Sequence, residues 1–86
     1  MILIKLLGGA KKAIGRPSIV FDKPMASVSE IFAFLLQNAV EPNLLNPNNI
    51  LIAINGIESS TLSGNNTIVK TGDIITVVTI VHGGRL

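Results

Sequence analysis

The sequence has no cysteine, no tryptophan, no tyrosine and only one histidine among its 86 residues. Without cysteine the chain can form no disulfide, no thiolate metal site and no thiol nucleophile, which fits a reducing compartment. A single histidine, His82, cannot by itself build a metal site or a catalytic triad. We therefore expect no enzymatic activity, no metal and no cofactor, and we expect a cytoplasmic protein.

Charge is also scarce, since Asp, Glu, Lys and Arg make up 14% of the residues and the net charge is +2. The one local concentration of basic residues is Lys11, Lys12 and Arg16. Nucleic-acid binding usually uses more positive surface, with aromatic side chains as stacking platforms for single strands. We interpret the cluster as a solvated loop and expect no nucleic-acid partner, while a small nucleic-acid-binding domain stays open as an alternative. No apolar run approaches the length of a membrane span, so we expect no membrane partner.

Apolar residues, 48% of the sequence, recur in the first part of the chain with the period of strands. The alternation in "MILIKLL" predicts a first strand that ends at a Gly8-Gly9 turn. A second strand is predicted from Pro17 to Asp22, paired to the first as a hairpin.

The middle of the chain has the pattern of one helix. Ser27, with Glu30 three residues later, predicts a capping box at its start, and the helix should end before Pro42. Leu44 and Leu45, in the connection that follows, are predicted to pack under the domain. The predicted apolar stripe consists of Val28, Ile31, Phe32, Leu35 and Leu36.

Strand patterns return in the second half. "ILIAING" predicts a third strand that closes at the turn dipeptide Asn55-Gly56. A short strand is predicted near Ile57 and a single turn at residues 67–69. The last strand, residues 74–81, has apolar or threonine side chains on both faces, which is typical of the middle of a sheet.

This order of elements predicts the α+β class and a roll of the β-grasp (ubiquitin-like) kind, in which a mixed sheet of four to five strands wraps one helix. We expect residues 1–82 to form a single β-grasp domain. Residues 83–86 are then a flexible C-terminal tail, made of a Gly-Gly pair with an Arg-Leu extension.

The chain finishes "TIVHGGRL". Glycines are a poor anchor for a strand, but a backbone without side chains can enter a narrow channel and present a carboxylate to a reagent bound inside another protein. Such a carboxylate can be activated with ATP as an acyl-adenylate and then attacked by sulfur or by an amine. In that case the protein is a substrate and not a catalyst.

The segments "MILIKLLGG", "ILIAINGI" and "VKTGDIITVVTIVHGG" resemble the ubiquitin-like sulfur-carrier superfamily. Its members include the small subunit of molybdopterin synthase (molybdenum cofactor biosynthesis), the thiazole-synthesis sulfur carrier and the ubiquitin-related modifier. The resemblance implies that the Gly84 carboxylate is adenylated and becomes a thiocarboxylate or is joined to a lysine amine. Gly83 and His82 precede it in an "HGG" ending most similar to the ubiquitin-related modifier, which donates sulfur for tRNA thiolation and conjugates to proteins.

Arg85 and Leu86 depart from the family pattern, in which the second glycine is the free C-terminus. Because Gly84 is here held in a peptide bond, we expect a protease to cut between Gly84 and Arg85. Two other interpretations stay open: the two residues are an artificial remnant, or this copy is not a carrier.

The partners implied by the resemblance are an ATP-dependent activating enzyme, a processing protease, and either target proteins or a sulfur-accepting enzyme. The alternative function is a non-catalytic β-grasp interaction module that docks by its sheet face or by strand addition. The sequence does not select the sheet face that meets the activating enzyme, because both faces of the last strand are apolar.

Overall fold

The computed structural model describes residues 1–79; the predicted site residues from His82 to Leu86 lie outside the described residues. The strands in chain order are β1 (Ile2–Gly8), β2 (Ser18–Phe21), β3 (Met25–Ser27), β4 (Ile50–Ile54), β5 (Ile57–Glu58), β6 (Ile68–Lys70) and β7 (Ile74–Thr79). The helices are α1 (Gly9–Ile14) and α2 (Val28–Asn38), and single turns of 3-10 helix occur at Pro42–Leu44, Ser59–Thr61 and Gly64–Asn66.

A mixed five-stranded sheet in the order β2-β1-β7-β4-β5 forms one layer and packs on α2, which confirms the predicted α+β, β-grasp fold. Strand β7 is central, as its two apolar faces predict. It runs parallel to β1, with Leu3 opposite Ile74 and Gly8 opposite Thr79, and antiparallel to β4. Strand β7 therefore holds the sheet together.

The core lies between this sheet and α2, and the predicted alternation of β1 is confirmed. Ile2, Ile4 and Leu6 are buried, as are Ile75 and Val77 of β7. The capping box of α2 is also confirmed: Glu30 N–H donates to Ser27 Oγ at 3.1 Å, and Ser27 N–H donates to Glu30 Oε1 at 2.9 Å. Burying the apolar stripe of α2 against the strands is what stabilises an 11-residue helix.

Members of the predicted stripe differ in burial. Val28, Ile31 and Leu35 are buried, whereas Phe32 is half-buried and Leu36 is exposed at the rim. In the connection after α2, Leu45 is buried and Leu44 is half-buried, as predicted.

The connection between β1 and β2 differs from the prediction. Instead of a turn and a solvated loop, residues 9–14 form α1. Ala10, Ala13 and Ile14 recur at helical spacing and are buried against the sheet, which stabilises a helix too short to persist alone. Strand β2 does pair antiparallel with β1 as predicted, but across a helical connection.

The predicted single turn at residues 67–69 is also wrong. Strand β6 occupies this segment and pairs antiparallel with β3, placing Ala26 opposite Val69 in a separate two-stranded sheet. Both side chains are buried, and Val28 N–H donates to the carbonyl of Thr67 at 2.9 Å. The predicted third strand, the Asn55-Gly56 turn and the short strand at Ile57 are confirmed as β4, its turn and β5. Within residues 1–79 no helix is long and apolar enough to cross a bilayer.

Candidate functional site

The candidate site begins where β7 ends. Thr79, the last described residue, lies between Gly8 of β1 and Ile50 of β4. The residues predicted to carry the function follow Thr79 in the sequence and lie outside the described residues. The described residues around Thr79 have three features: a close glycine contact, an apolar face and a basic helix.

The glycine pair at the end of β1 approaches the end of β7 closely. A Cβ atom added to Gly9 would lie 3.0 Å from Thr79 Cβ, and one added to Gly8 would lie 3.2 Å from the Thr79 carbonyl oxygen. Gly8 also has a φ of +57°, a conformation that other residues rarely adopt. The lack of side chains on these two glycines lets the start of α1 pack directly on Thr79 of β7.

The side of the sheet opposite α2 has no layer over it within residues 1–79, and we call it the open face. Leu3, Leu7, Val20 and Ile74 on this face expose 43%, 51%, 43% and 47% of their surface. Strand register brings these side chains into two apolar rows separated by a row containing Lys5 and Thr76. The strand register places on the open face Leu3, Lys5, Leu7, Ser18, Val20, Leu51, Ala53, Glu58, Ile74, Thr76 and Val78.

Several exposed large apolar side chains on one sheet face are typical of a docking surface. Leu7, Leu51 and Val78 form the row beside the end of β7, because Val78 pairs with Leu7 on one side and with Leu51 on the other. The structure thereby settles a point that the sequence left open: Ile75 and Val77 face the core, and the side chains of Ile74, Thr76 and Val78 face outward.

The start of β7 is fixed by a second contact, which the sequence signalled only through its turn residues. Asn55, in the turn after β4, has a φ of 53°. Its side-chain amide donates to Asp73 Oδ1 at 3.1 Å, and its Oδ1 accepts from Ile74 N–H at 2.9 Å. The Lys70 N–H donates to the other Asp73 oxygen at 2.9 Å. The Lys70 N–H and then the Asn55 amide hold the pKa of Asp73 below its ordinary value.

Helix α1 carries the basic residues that the sequence analysis placed on a loop. Lys11 and Lys12 are exposed on α1, and Arg16 is exposed just beyond its end. Gly15 ends the helix with a φ of 85°, and its N–H donates to the Lys11 carbonyl at 2.8 Å. Because α1 packs on the end of β7, this basic group lies beside the same end of the sheet.

The model of one protein family matches residues 4–84, nearly the whole chain. The chain belongs to the ThiS family. This confirms the resemblance to the ubiquitin-like sulfur-carrier superfamily, whose members are small carrier proteins. No curated protein sequence gave a match.

Solved structures share the ThiS-family fold of this chain at low identity. Small archaeal modifier protein 1 (SAMP1) from Methanosarcina acetivorans is 23% identical, with a TM-score of 0.73 over 96% of this chain and 95% of that chain. Urm1 from Trypanosoma brucei is 18% identical, with a TM-score of 0.72 over 96% and 94%. Urm1 from Sulfolobus solfataricus is 17% identical, with a TM-score of 0.66 over 91% and 99%. These similarities show a shared fold.

Proposed function

We propose that this protein is a ubiquitin-like sulfur carrier or protein modifier whose reactive group is the carboxylate of Gly84. The observation that carries the proposal is the placement of β7: the central strand runs to Thr79, the last described residue, at one end of the sheet, and Gly84 follows a few residues further along the sequence. The family match supports it, because the matched region ends at residue 84. A fully extended chain from 80 to 84 spans at most about 18 Å, so the activating site must come that close to Thr79.

The proposed reaction takes place in the active site of an activating enzyme. An oxygen of the Gly84 carboxylate attacks the α-phosphorus of ATP, pyrophosphate leaves, and an acyl-adenylate forms. A hydrosulfide nucleophile then attacks the acyl carbon and AMP leaves, which gives a thiocarboxylate; a lysine amine in the same role gives an isopeptide bond. The carrier contributes the acyl group and a docking surface, and we place the reaction in the cytoplasm.

Removal of Arg85 and Leu86 is part of the proposal. The carboxyl of Gly84 forms a peptide bond with Arg85 in the sequence, so it has no free oxygen to adenylate until that bond is hydrolysed. Gly83 and Gly84 lack side chains that would obstruct a narrow channel. We propose that a protease removes Arg85 and Leu86 from the tail of residues 83–86. The activating enzyme then recognises Gly83 and Gly84, together with His82, which precedes them in the sequence.

The open face is the proposed docking surface for the activating enzyme. It carries exposed apolar side chains, some of them on β7, the strand that precedes the tail in the sequence, so a partner that covers the row of Leu7 and Val78 also lies near Thr79. Burial of large apolar side chains supplies affinity at about 25 cal/mol per Å² before the entropic costs of association. Docking on this face brings Gly84 to the ATP site without a catalytic group on the carrier.

The decisive experiment measures ATP-pyrophosphate exchange by the adenylating enzyme of the same organism. We expect exchange with the chain that ends at Gly84 and none with the chain that ends at Leu86, because only the former has a free glycine carboxylate. Intact mass of the protein from its native cells should show chains ending at Gly84, a fraction of them with sulfur in place of one carboxylate oxygen. No exchange with the Gly84-ended chain would refute the proposal.

The exposed open face also favours the alternative of an interaction module, because it requires no tail. Deletion of residues 83–86 separates the two functions. A docking module retains its full function after the deletion, whereas a carrier retains binding to its activating enzyme and loses every ATP-dependent product.

A further inference from the structure

We infer that Lys11 and Lys12 of α1, with Arg16 just beyond its end, dock against an acidic surface of the activating enzyme, beside the entrance through which the tail passes. This inference rests on the proposed function and names a second contact with the same partner. Lys11, Lys12 and Arg16 account for three of the seven basic residues of the sequence. All three are exposed.

The three cations line one shallow, open depression. It has a volume of about 400 Å³, and its lining residues are Gly8, Lys11, Lys12, Gly15, Arg16 and Pro17. None of these lining residues is acidic. Glu41 is tied to the end of α1, where its N–H donates to the Ala13 carbonyl at 3.0 Å, but its side chain does not line the depression. A group of like charges attracts an anionic partner.

The helix that carries these charges is held in place. Ala10 and Ala13 are fully buried, and Ile14 is 3% exposed, so the opposite side of α1 must face solvent. The Ala13 carbonyl also accepts from Val40 N–H at 2.8 Å, which joins α1 to the connection after α2. The cations are therefore presented from a fixed element, which reduces the entropy lost on docking.

The position of α1 identifies the partner. A Cβ on Gly9 would touch Thr79, so α1 and the end of β7 are in direct contact. Any protein that acts on Gly84 must come within about 18 Å of Thr79, the span of an extended chain from 80 to 84. The partner surface around the tail entrance therefore faces α1, and carboxylates on that surface would complement the cations.

Nucleic acid fits these observations less well. Three cations neutralise few phosphates, and the chain has neither Trp nor Tyr on which bases could stack. The position of these cations beside the tail would help an activating enzyme to recognise the carrier. It would give no advantage in binding a nucleic acid. RNA binding is therefore an outcome of the test.

The test measures KM and kcat of ATP-pyrophosphate exchange for Gly84-ended chains with the adenylating enzyme of the same organism. We expect Lys11→Glu/Lys12→Glu to raise KM about tenfold at low salt with kcat unchanged, because charges at the rim of an interface act mainly on encounter. The effect should shrink as salt is added, since screening weakens exposed charge pairs.

The matched control is Lys23→Glu. Because it is a single substitution, its KM is compared with the KM of the single substitution Lys12→Glu. Phe21 pairs with Ile2, so the exposed Lys23 lies at the opposite end of the sheet from Gly8. Equal KM values for Lys12→Glu and Lys23→Glu would overturn the inference and leave the proposed function standing. If the wild-type Gly84-ended chain supported no exchange, both the inference and the proposed function would be refuted.

A measurement of RNA binding tests the nucleic-acid alternative. Fluorescence anisotropy with a labelled single-stranded RNA at low salt should show no difference between wild type and the Lys11→Glu/Lys12→Glu variant. RNA binding that this variant loses, together with an unchanged KM for exchange, would assign α1 to nucleic acid and overturn the inference.

Discussion

The Asn55 side-chain amide donates a hydrogen bond of 3.1 Å to the Asp73 carboxylate, which joins the turn after β4 to the turn before β7. Asp73 also accepts from the Lys70 N–H at 2.9 Å, and Asn55 accepts from Ile74 N–H. The first residues of the central strand are thus held by side chains from both turns.

Replacing Asp73 should weaken this arrangement. We expect Asp73→Ala to lower the free energy of unfolding by about 1 to 2 kcal/mol, because two donors lose a charged acceptor at a partly exposed site. Urea unfolding measures the change. Asp22→Ala, at an exposed carboxylate after β2, is the control and should stay within about 0.5 kcal/mol of wild type. Equal losses for the two variants would mean that the Asp73 contacts contribute nothing specific.

The same carboxylate makes stability depend on pH. Its pKa is lowered in the folded protein from the ordinary value of 3.8. The stabilisation is therefore present above that value and is lost as the pH falls through the folded-state pKa. Urea unfolding from neutral pH to about pH 2.5 should show a steeper loss for wild type than for Asp73→Asn, which has no carboxylate at this position. Parallel pH profiles would contradict the assignment.

Gly9→Ala tests the contact between α1 and the end of β7, because the contact decides whether the substitution raises or lowers the free energy of unfolding. Alanine is favoured over glycine in a helix by about 1 kcal/mol, so the substitution would stabilise a helix with free space at this position. Here the new Cβ would lie 3.0 Å from Thr79 Cβ. We expect a loss of about 1 to 2 kcal/mol in thermal or urea unfolding. A stabilised variant would show that α1 and β7 can separate at no cost.

Leu7→Glu tests docking through the open face. Leu7 is 51% exposed, so the variant should fold, and a charge in the apolar row beside the end of β7 should raise the KM of ATP-pyrophosphate exchange at least tenfold. Ile68→Glu is the matched control, because Ile68 is 56% exposed on the separate β3-β6 sheet. If both variants had wild-type KM values, the enzyme would bind elsewhere on the carrier.

The sequence predicted the elements whose signals are local. The capping box of Ser27 and Glu30 specified the start of α2, and apolar side chains on both faces of β7 specified a central strand. Helix α1 was missed because it has fewer than two turns, and Gly8, Gly9 and Gly15, at its two ends, have the composition of a loop. Its stability comes from burial against the sheet, which no local pattern contains.

The β3-β6 pair was missed for a related reason. Ala26 and Val69 lie far apart in sequence, and each strand has only three residues. The site residues 82–85 were predicted from the family resemblance, whereas the surface around Thr79 depends on contacts between distant segments that no local pattern contains. Only the position of α2 over Ile75 and Val77 distinguishes the covered side of the sheet from the open face.

The central position of β7 has a mechanical consequence. A modifier joined to a target through Gly84, when pulled by an unfolding motor, receives the force along β7. That strand is paired with β1 through six residues on one side and with β4 through five on the other. Force along the strand loads both ladders in shear, so their hydrogen bonds must break together instead of unzipping one at a time. Under the proposed function, a conjugate joined through Gly84 therefore resists extraction through both ladders of β7.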